Sequence, residues 1–224
     1  MIELIDVHVR LGQREVLRGI TVSLPEHRVG VIGANGSGKS TLARLVNGLA
    51  LPTSGSVTVL GHDTRRHGAR IRRRVGFLFT DPDAQIVMPT VAEDVAFSLR
   101  RRKLPKEEVR SRVAAVLERY GLAGHADHPA HHLSGGQKQL LALCSVLVLE
   151  PEILVMDEPT TLLDLRHSRL VAEALRDLPQ QVIVVSHDLA LLEDFDRVLV
   201  LDDGRITADD SPGAAVDHYR KTMA

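Results

Sequence analysis

Apolar residues recur along this chain with two different periods. Residues 2–9 roughly alternate apolar and polar, and residues 16–24 continue the pattern after a turn marked by Gly12. Alternation puts one face of a strand on a core and the other in water. Five short, continuous apolar runs follow, at residues 29–32, 75–79, 153–156, 182–185 and 198–201. Runs of that length predict parallel strands covered on both faces. Between them, residues 40–49, 106–120, 135–149 and 167–178 carry helical spacing. Ser211-Pro212 reads as an N-cap followed by proline at the first helical position, so a short terminal helix is predicted there. Strands alternating with helices predict an α/β fold with a mainly parallel sheet. No internal repeat or low-complexity linker interrupts the pattern.

Composition narrows the class. A chain of 224 residues can bury a sizeable core and suits one domain, or one domain with a small lobe. With 44% apolar and 25% charged residues it has the balance of a globular protein, not a disordered one. A single cysteine, Cys144, closes no intrachain disulfide. The opening run Met1-Ile2-Glu3-Leu4-Ile5-Asp6 has acids where a signal peptide would have a basic region. The longest apolar stretch, residues 140–149, is interrupted by Ser145 and is too short to span a bilayer. A soluble, cytosolic chain is therefore expected. Aromatic residues make up only 3%, which argues against work that rests on aromatic stacking platforms.

The formal net charge of -1 hides an asymmetry. Residues 62–112 hold 13 Lys/Arg against 7 Asp/Glu, whereas residues 151–224 hold 7 against 15. A basic middle can follow an anionic surface such as lipid or nucleic acid. Glu107, Glu108 and Glu118 interleave with its later bases, so we read it as a solvated helical lobe.

Two stretches carry chemistry. Gly33-Ala34-Asn35-Gly36-Ser37-Gly38-Lys39-Ser40 matches G-x-x-x-x-G-K-[ST], the P-loop, between an apolar strand and a helical pattern. Glycines let main-chain N–H groups curl round a polyphosphate without Cβ clashes, and the helix starting there presents its positive end. Asn35, Gly36, Ser37, Gly38 and Thr41 are thus candidate nucleotide contacts. Lys39 is expected to reach the β- and γ-phosphates, and the Ser40 hydroxyl to ligate Mg²⁺. The second stretch, Ile153-Leu154-Val155-Met156-Asp157-Glu158-Pro159, is an apolar strand ending in acids, the Walker B pattern. Asp157 is expected to hold Mg²⁺, directly or through water, and Glu158 to orient or deprotonate an attacking water.

Leu133-Ser134-Gly135-Gly136-Gln137 lies upstream of these acids, Leu163-Asp164 just after them, and Val185-Ser186-His187-Asp188 after the next strand. Together these motifs resemble the ATP-binding-cassette (ABC) ATPases over essentially the whole chain. The resemblance implies that family's fold: a P-loop core with a mainly parallel sheet, an N-terminal antiparallel β subdomain, and a helical subdomain over about residues 87–149. It implies ATP and Mg²⁺, and a head-to-tail dimer in which the P-loop of one subunit and Ser134, Gly135, Gly136 and Gln137 of the other enclose each nucleotide. His187 matches the histidine that contacts the γ-phosphate, and Asp164 the loop that links the two sites. Both composite sites look competent in one chain, which favours a homodimer.

The run from Val75 to Val87, followed by residues 91–97, looks like the energy-coupling-factor subgroup of vitamin and metal importers. There a soluble ATPase pair at the cytoplasmic membrane face drives a transmembrane coupling subunit and a substrate-binding membrane subunit. About twenty residues follow the last predicted strand, so the extra C-terminal lobe of many cobalt and nickel relatives is not expected. The compact form most resembles the ATPases of dedicated biotin transporters, with a cobalt or nickel importer as the alternative. ABC ATPases acting on nucleic acid or ribosomes need long coiled coils or two cassettes. The 93 residues between Lys39 and Leu133, and one P-loop, leave room for neither, so no nucleic acid is expected. A P-loop kinase or GTPase does not explain Leu133-Ser134-Gly135-Gly136-Gln137.

Two positions depart from the family's pattern. Thr80 stands where a glutamine usually reaches Mg²⁺ and water, and Gln85, five residues on, is the candidate substitute. Leu11 stands where an aromatic usually stacks on the base, and stacking is worth about 0.5–1.5 kcal/mol. Modest affinity and weak base selectivity follow. His125, His128, His131 and His132 have spacing that could suit a metal. No cysteine or paired carboxylate completes such a site, and we read them as part of a polar loop with Gly124 and Pro129.

Overall fold

The computed structural model describes residues 1–161 and 163–223. The chain begins with an antiparallel hairpin, β1 (Ile2–Leu11) and β2 (Arg14–Leu24). Its turn is closed by Gly12 at φ 61°. β3 (Arg28–Ile32) runs through the glycine-rich loop into α1 (Lys39–Val46). β4 (Ser54–Val59), β5 (His62–Asp63), α2 (Thr64–Ile71) and β6 (Val75–Leu78) follow. Three helices then come in succession: α3 (Val91–Leu99), α4 (Lys106–Arg119) and α5 (Gly135–Leu147). β7 (Ile153–Asp157), α6 (Leu165–Arg176), β8 (Gln181–Val185), β9 (Arg197–Asp202), β10 (Arg205–Asp210) and α7 (Pro212–Met223) complete the described chain.

The strands form two sheets. One is antiparallel, in the order β2-β1-β4-β5. The other has the order β10-β9-β3-β8-β7-β6, with five parallel strands and β10 antiparallel at one edge. The continuous apolar runs have a simple cause here. Ile153, Val155, Ile183, Val185, Leu199 and Leu201 join the core shared with β1, β2 and α1. Leu154, Met156, Val182, Val184, Val198 and Val200 join the core shared with α3, α5 and α6. Both faces are buried, and each such side chain contributes about 1.5–3 kcal/mol of hydrophobic free energy against the entropy of ordering the chain. The α/β class and the mainly parallel sheet are as the pattern predicts.

α2, β4 and β10, which the pattern missed, lack a full apolar face. In α2 only Thr64 and Ile71 are buried, and the helix start rests on Asp63, whose carboxylate accepts from the N–H groups of Arg65 (2.9 Å) and Arg66 (3.1 Å). β4 buries only Val57 and Val59. β10 is largely exposed, and Arg197 of β9 ties it down through Asp209 while also pairing with Glu26. α3 begins with a capping box between Thr90 and Glu93. The helix expected over residues 40–49 ends at Val46, because Gly48 turns left-handed at φ 70° and the Asn47 side chain accepts from Leu49 N–H at 3.0 Å. Among the described residues no helix is long and apolar enough to cross a membrane.

Candidate nucleotide-binding site

The glycine-rich loop joins β3 to α1 under steric conditions that only glycine meets. Gly33 takes φ 152°, and a Cβ there would sit 2.0 Å from the Leu201 carbonyl oxygen. Gly38 takes φ 107°, and a Cβ there would sit 2.7 Å from Leu17 Cδ2 and 2.8 Å from the Val16 carbonyl oxygen. The loop is thus pressed onto the ends of β9 and β2. No side chain caps α1, and the N–H groups of Lys39, Ser40 and Thr41 have no acceptor among the described residues. These open donors at the positive end of a helix form an anion site. The buried Lys39 ammonium lies across the loop, donating to the carbonyls of Gly33 (2.8 Å) and Ala34 (3.0 Å). Burial pulls its pKa below the usual lysine range, and the charges of Glu158 and Asp157 partly offset that pull.

Asp157 ends β7 beside the loop. The Ser40 hydroxyl donates to its Oδ1 at 2.8 Å, and the Arg44 guanidinium lies 3.8 Å from its Oδ2. Burial lifts the Asp157 carboxyl above the usual carboxylate range, although the Ser40 hydrogen bond and Arg44 oppose the shift. Thr80 Oγ1 donates to the Asp157 carbonyl at 2.9 Å, which places Thr80 against the backbone of β7. Glu158 follows in the left-handed region at φ 54°, with its N–H donating to the Val185 carbonyl at 2.8 Å. A non-glycine residue held there costs on the order of 1–3 kcal/mol, and its surroundings must over-determine it. They do: Glu158 Oε2 is held by His187 Nδ1 (2.7 Å), His187 N–H (3.2 Å) and the Thr161 hydroxyl (3.1 Å).

An open groove of about 350 Å³ runs over the loop and is lined by Leu11, Arg14, Val16, Asn35, Gly36, Gly38, Lys39, Ser40, Thr41 and Glu158. Leu11 thus meets the loop despite lying outside the motif. Gln85 lines a different groove, beside Val87 and Phe97, and its amide is engaged with the main chain of Phe79 (3.3 Å) and Phe77 (3.5 Å).

Ser134, Gly135, Gly136 and Gln137 line no part of the P-loop groove of their own chain. They open α5 through a capping box, in which Ser134 Oγ accepts from Gln137 N–H and Gln137 Oε1 accepts from Ser134 N–H. Gly136 faces α6, where a Cβ would lie 2.1 Å from the His167 ring. That ring is fixed by Asp164, the N-cap of α6, which bonds His167 N–H at 2.9 Å and His167 Nδ1 at 2.8 Å. Asp164 and the start of α5 are thereby linked through His167, a residue that sequence reasoning did not single out. Arg14 and Arg44 were also missed. The signal for Arg14 was its position directly across the hairpin from Leu11. His125 Nδ1 lies 3.0 Å from His128 Nδ1, and His125 Nε2 lies 3.1 Å from Gln137 Nε2. Among the described residues no three His, Cys, Asp or Glu side chains converge as metal ligands would.

A strand, a glycine-rich phosphate cradle and an uncapped helix, with Ser40 and Asp157 side by side, define a P-loop nucleotide-binding protein. A model of the ABC transporter family matches residues 17–161. A Deinococcus radiodurans protein, described no further than as an ABC transporter ATP-binding protein, is 56% identical over 100% of this chain and 99% of its own length. The biotin transport ATP-binding protein BioM of Rhizobium etli is 47% identical over 96% of both chains. The energy-coupling factor transporter ATP-binding protein EcfA1 of Caldanaerobacter subterraneus is 42% identical over 88% of this chain and 74% of its own. Among solved structures, cbiO1 from Clostridium perfringens, part of the ABC transporter complex cbiONQ, superposes with a TM-score of 0.85 at 32% identity, covering 99% of this chain and 92% of its own. The chain belongs to the ABC transporter family and is one of its ATPases, of the energy-coupling-factor type.

Proposed function

We propose that this chain is the ATP-hydrolysing subunit of an importer that takes up biotin through separate membrane subunits. The observation that carries the hydrolytic role is that Lys39, Ser40 and Glu158 line one groove, with Asp157 bonded to Ser40 and His187 to Glu158. Likeness to the Rhizobium etli protein along nearly the whole chain supports the cargo.

The main chain from Asn35 to Thr41 cradles the triphosphate of ATP, and Lys39 turns from the Gly33 and Ala34 carbonyls to the β- and γ-phosphates. Ser40 Oγ and the Asp157 carboxylate are adjacent hard oxygen donors, the set Mg²⁺ prefers, and burial that disfavours a bare Asp157 charge fits a cation beside it. Bound there, Mg²⁺ would supply neutralisation of phosphate charge. Glu158 takes a proton from the attacking water, with its carboxylate steadied by Thr161 and His187, and His187 meets the γ-phosphate.

Ser134, Gly135, Gly136 and Gln137 serve the nucleotide of a second copy, with Asp164 linking the two sites. Leu165, 80% exposed beside Asp164, supports a partner on that face. The assembly is a homodimer, peripheral at the cytoplasmic membrane face. The helical subdomain, about residues 87–149, meets the transmembrane coupling subunit through the groove of about 680 Å³ that contains Gln85, Val87, Phe97, Arg100 and Arg101. Thr80, held against the backbone of β7, is too short for the reach of the usual glutamine, so it slows hydrolysis or weakens its coupling to the partner. Thr80→Gln should then change basal or partner-stimulated ATPase rates, and two unchanged rates would contradict the idea.

The reading is tested by uptake of labelled biotin into cells that carry this chain with a biotin-binding membrane subunit and a coupling subunit. ATP-dependent uptake that Glu158→Gln abolishes is expected. Uptake of cobalt or nickel in place of biotin would overturn the cargo and leave the ATPase standing.

A further inference from the structure

The nucleotide groove takes Glu158 from the residue after β7 and Leu11, Arg14 and Val16 from the hairpin. For a nucleoside triphosphate whose phosphates rest on Lys39, Ser40 and Thr41, with the terminal one toward Glu158, the surface of the groove left for the base is the hairpin. The faces of a purine are flat and poorly hydrated, so the base needs a planar or apolar surface. All six aromatic residues, Phe77, Phe79, Phe97, Tyr120, Phe195 and Tyr219, lie outside the groove.

Arg14 is the planar π group that remains. It is the direct cross-strand partner of Leu11 at the closed end of the hairpin, so the two side chains project to the same face. Its Nη2 donates to the Gly36 carbonyl at 3.1 Å, which holds the guanidinium plane against the outer wall of the cradle. It forms no salt bridge among the described residues, so no carboxylate draws it away. A guanidinium is weakly hydrated and stacks on π faces where an ammonium does not.

We propose that Arg14 is the base platform of this site: its guanidinium stacks on the purine ring, Leu11 packs beside it, and the Gly36 carbonyl fixes the plane. Arg14 is a specificity-determining residue of a permissive kind. Stacking reads the face of a base and not its edge, so adenine and guanine are held alike. The proposal rests on nucleotide binding alone and is independent of cargo and of membrane partners.

The test is competition against a fluorescent ATP analogue on the full chain, with ATP, GTP and inorganic tripolyphosphate as competitors. Arg14→Ala is expected to weaken ATP and GTP about three- to tenfold and tripolyphosphate less than about twofold. Arg14→Lys, which keeps the charge and loses the plane, should behave like Arg14→Ala, and Arg14→Tyr should restore both nucleotides. Equal losses for ATP and tripolyphosphate would make Arg14 a phosphate counter-charge and overturn the proposal. So would wild-type affinity in Arg14→Lys, or no change in Arg14→Ala. Arg14 is exposed on the hairpin, and an unchanged melting temperature in each variant shows that the comparison is made between folded proteins.

Discussion

Helices α1 and α5 start in opposite ways. α1 starts behind a left-handed glycine with no side-chain cap, and three of its N–H groups have no acceptor among the described residues. α5 starts with a closed capping box, and there only the N–H groups of Gly135 and Gly136 lack an acceptor among the described residues. An N-cap is typically worth about 1 kcal/mol, so the open start of α1 gives up stability and gains a binding surface for phosphate. The start of α5 keeps its cap and holds its glycine face against His167. One helix terminus leaves its donors open within its own groove. The other is closed by its own side chains and lines no part of that groove.

The largest effect falls on the phosphate side. Glu158→Gln keeps the shape of the side chain and removes the base, so steady-state ATP hydrolysis should drop by about 10²–10⁴. Gel filtration of this variant with ATP should show a dimer, and a purely monomeric profile would break the idea that the α5 terminus waits for a second copy. Gly136→Ala comes next, because its Cβ overlaps the His167 ring. Overpacking of this kind costs about 1–3 kcal/mol, which lowers the melting temperature of a chain this size by about 2–4 °C per kcal/mol. Combining it with His167→Ala should recover part of the loss, and strict additivity of the two changes would show that the contact does not couple them.

Ser134→Ala removes the cap alone and should cost about 1 kcal/mol, read as a lower melting temperature without nucleotide. If it costs nothing, the contrast between the two helix starts has no energetic content. The smallest effect lies on the hairpin beside the base end. Hydrogen bonds to Glu15 and Asp6 raise the His8 pKa above 6.5, and the same His8 contact lowers that of Glu15. A raised folded-state pKa adds stability that is fully present below 6.5 and is lost as pH rises through the raised value. NMR titration should place His8 above 6.5 in the native chain and nearer 6.5 in Glu15→Gln, with little change in melting temperature because the pair is only half-buried and screened by water.

Much of this was legible before the chain was folded. The strands with both faces buried, the phosphate loop and the acids at the end of β7 carry their signals within a few residues, because backbone sterics and side-chain periodicity act locally. α2, β4 and β10 were not legible, since each is held by a cap, a sheet neighbour or an arginine clamp and buries few apolar side chains of its own. The same limit hid Arg14, which belongs to no motif and earns its place through a carbonyl 22 positions away. It also hid His167, whose ring closes over a glycine on another helix.

From residue order alone came the α/β class, the cradle between residues 33 and 41, and the catalytic carboxylate candidates, because each depends on residue types at short, fixed spacings. Tertiary structure decided that Ser40 meets Asp157 across 117 positions, that Gln85 lies outside the nucleotide groove, and that the glycines of α5 line no part of the groove of their own phosphate loop. Those outcomes depend on the path of the chain through two buried cores, and no local periodicity encodes a contact whose partners are brought together only when both cores close.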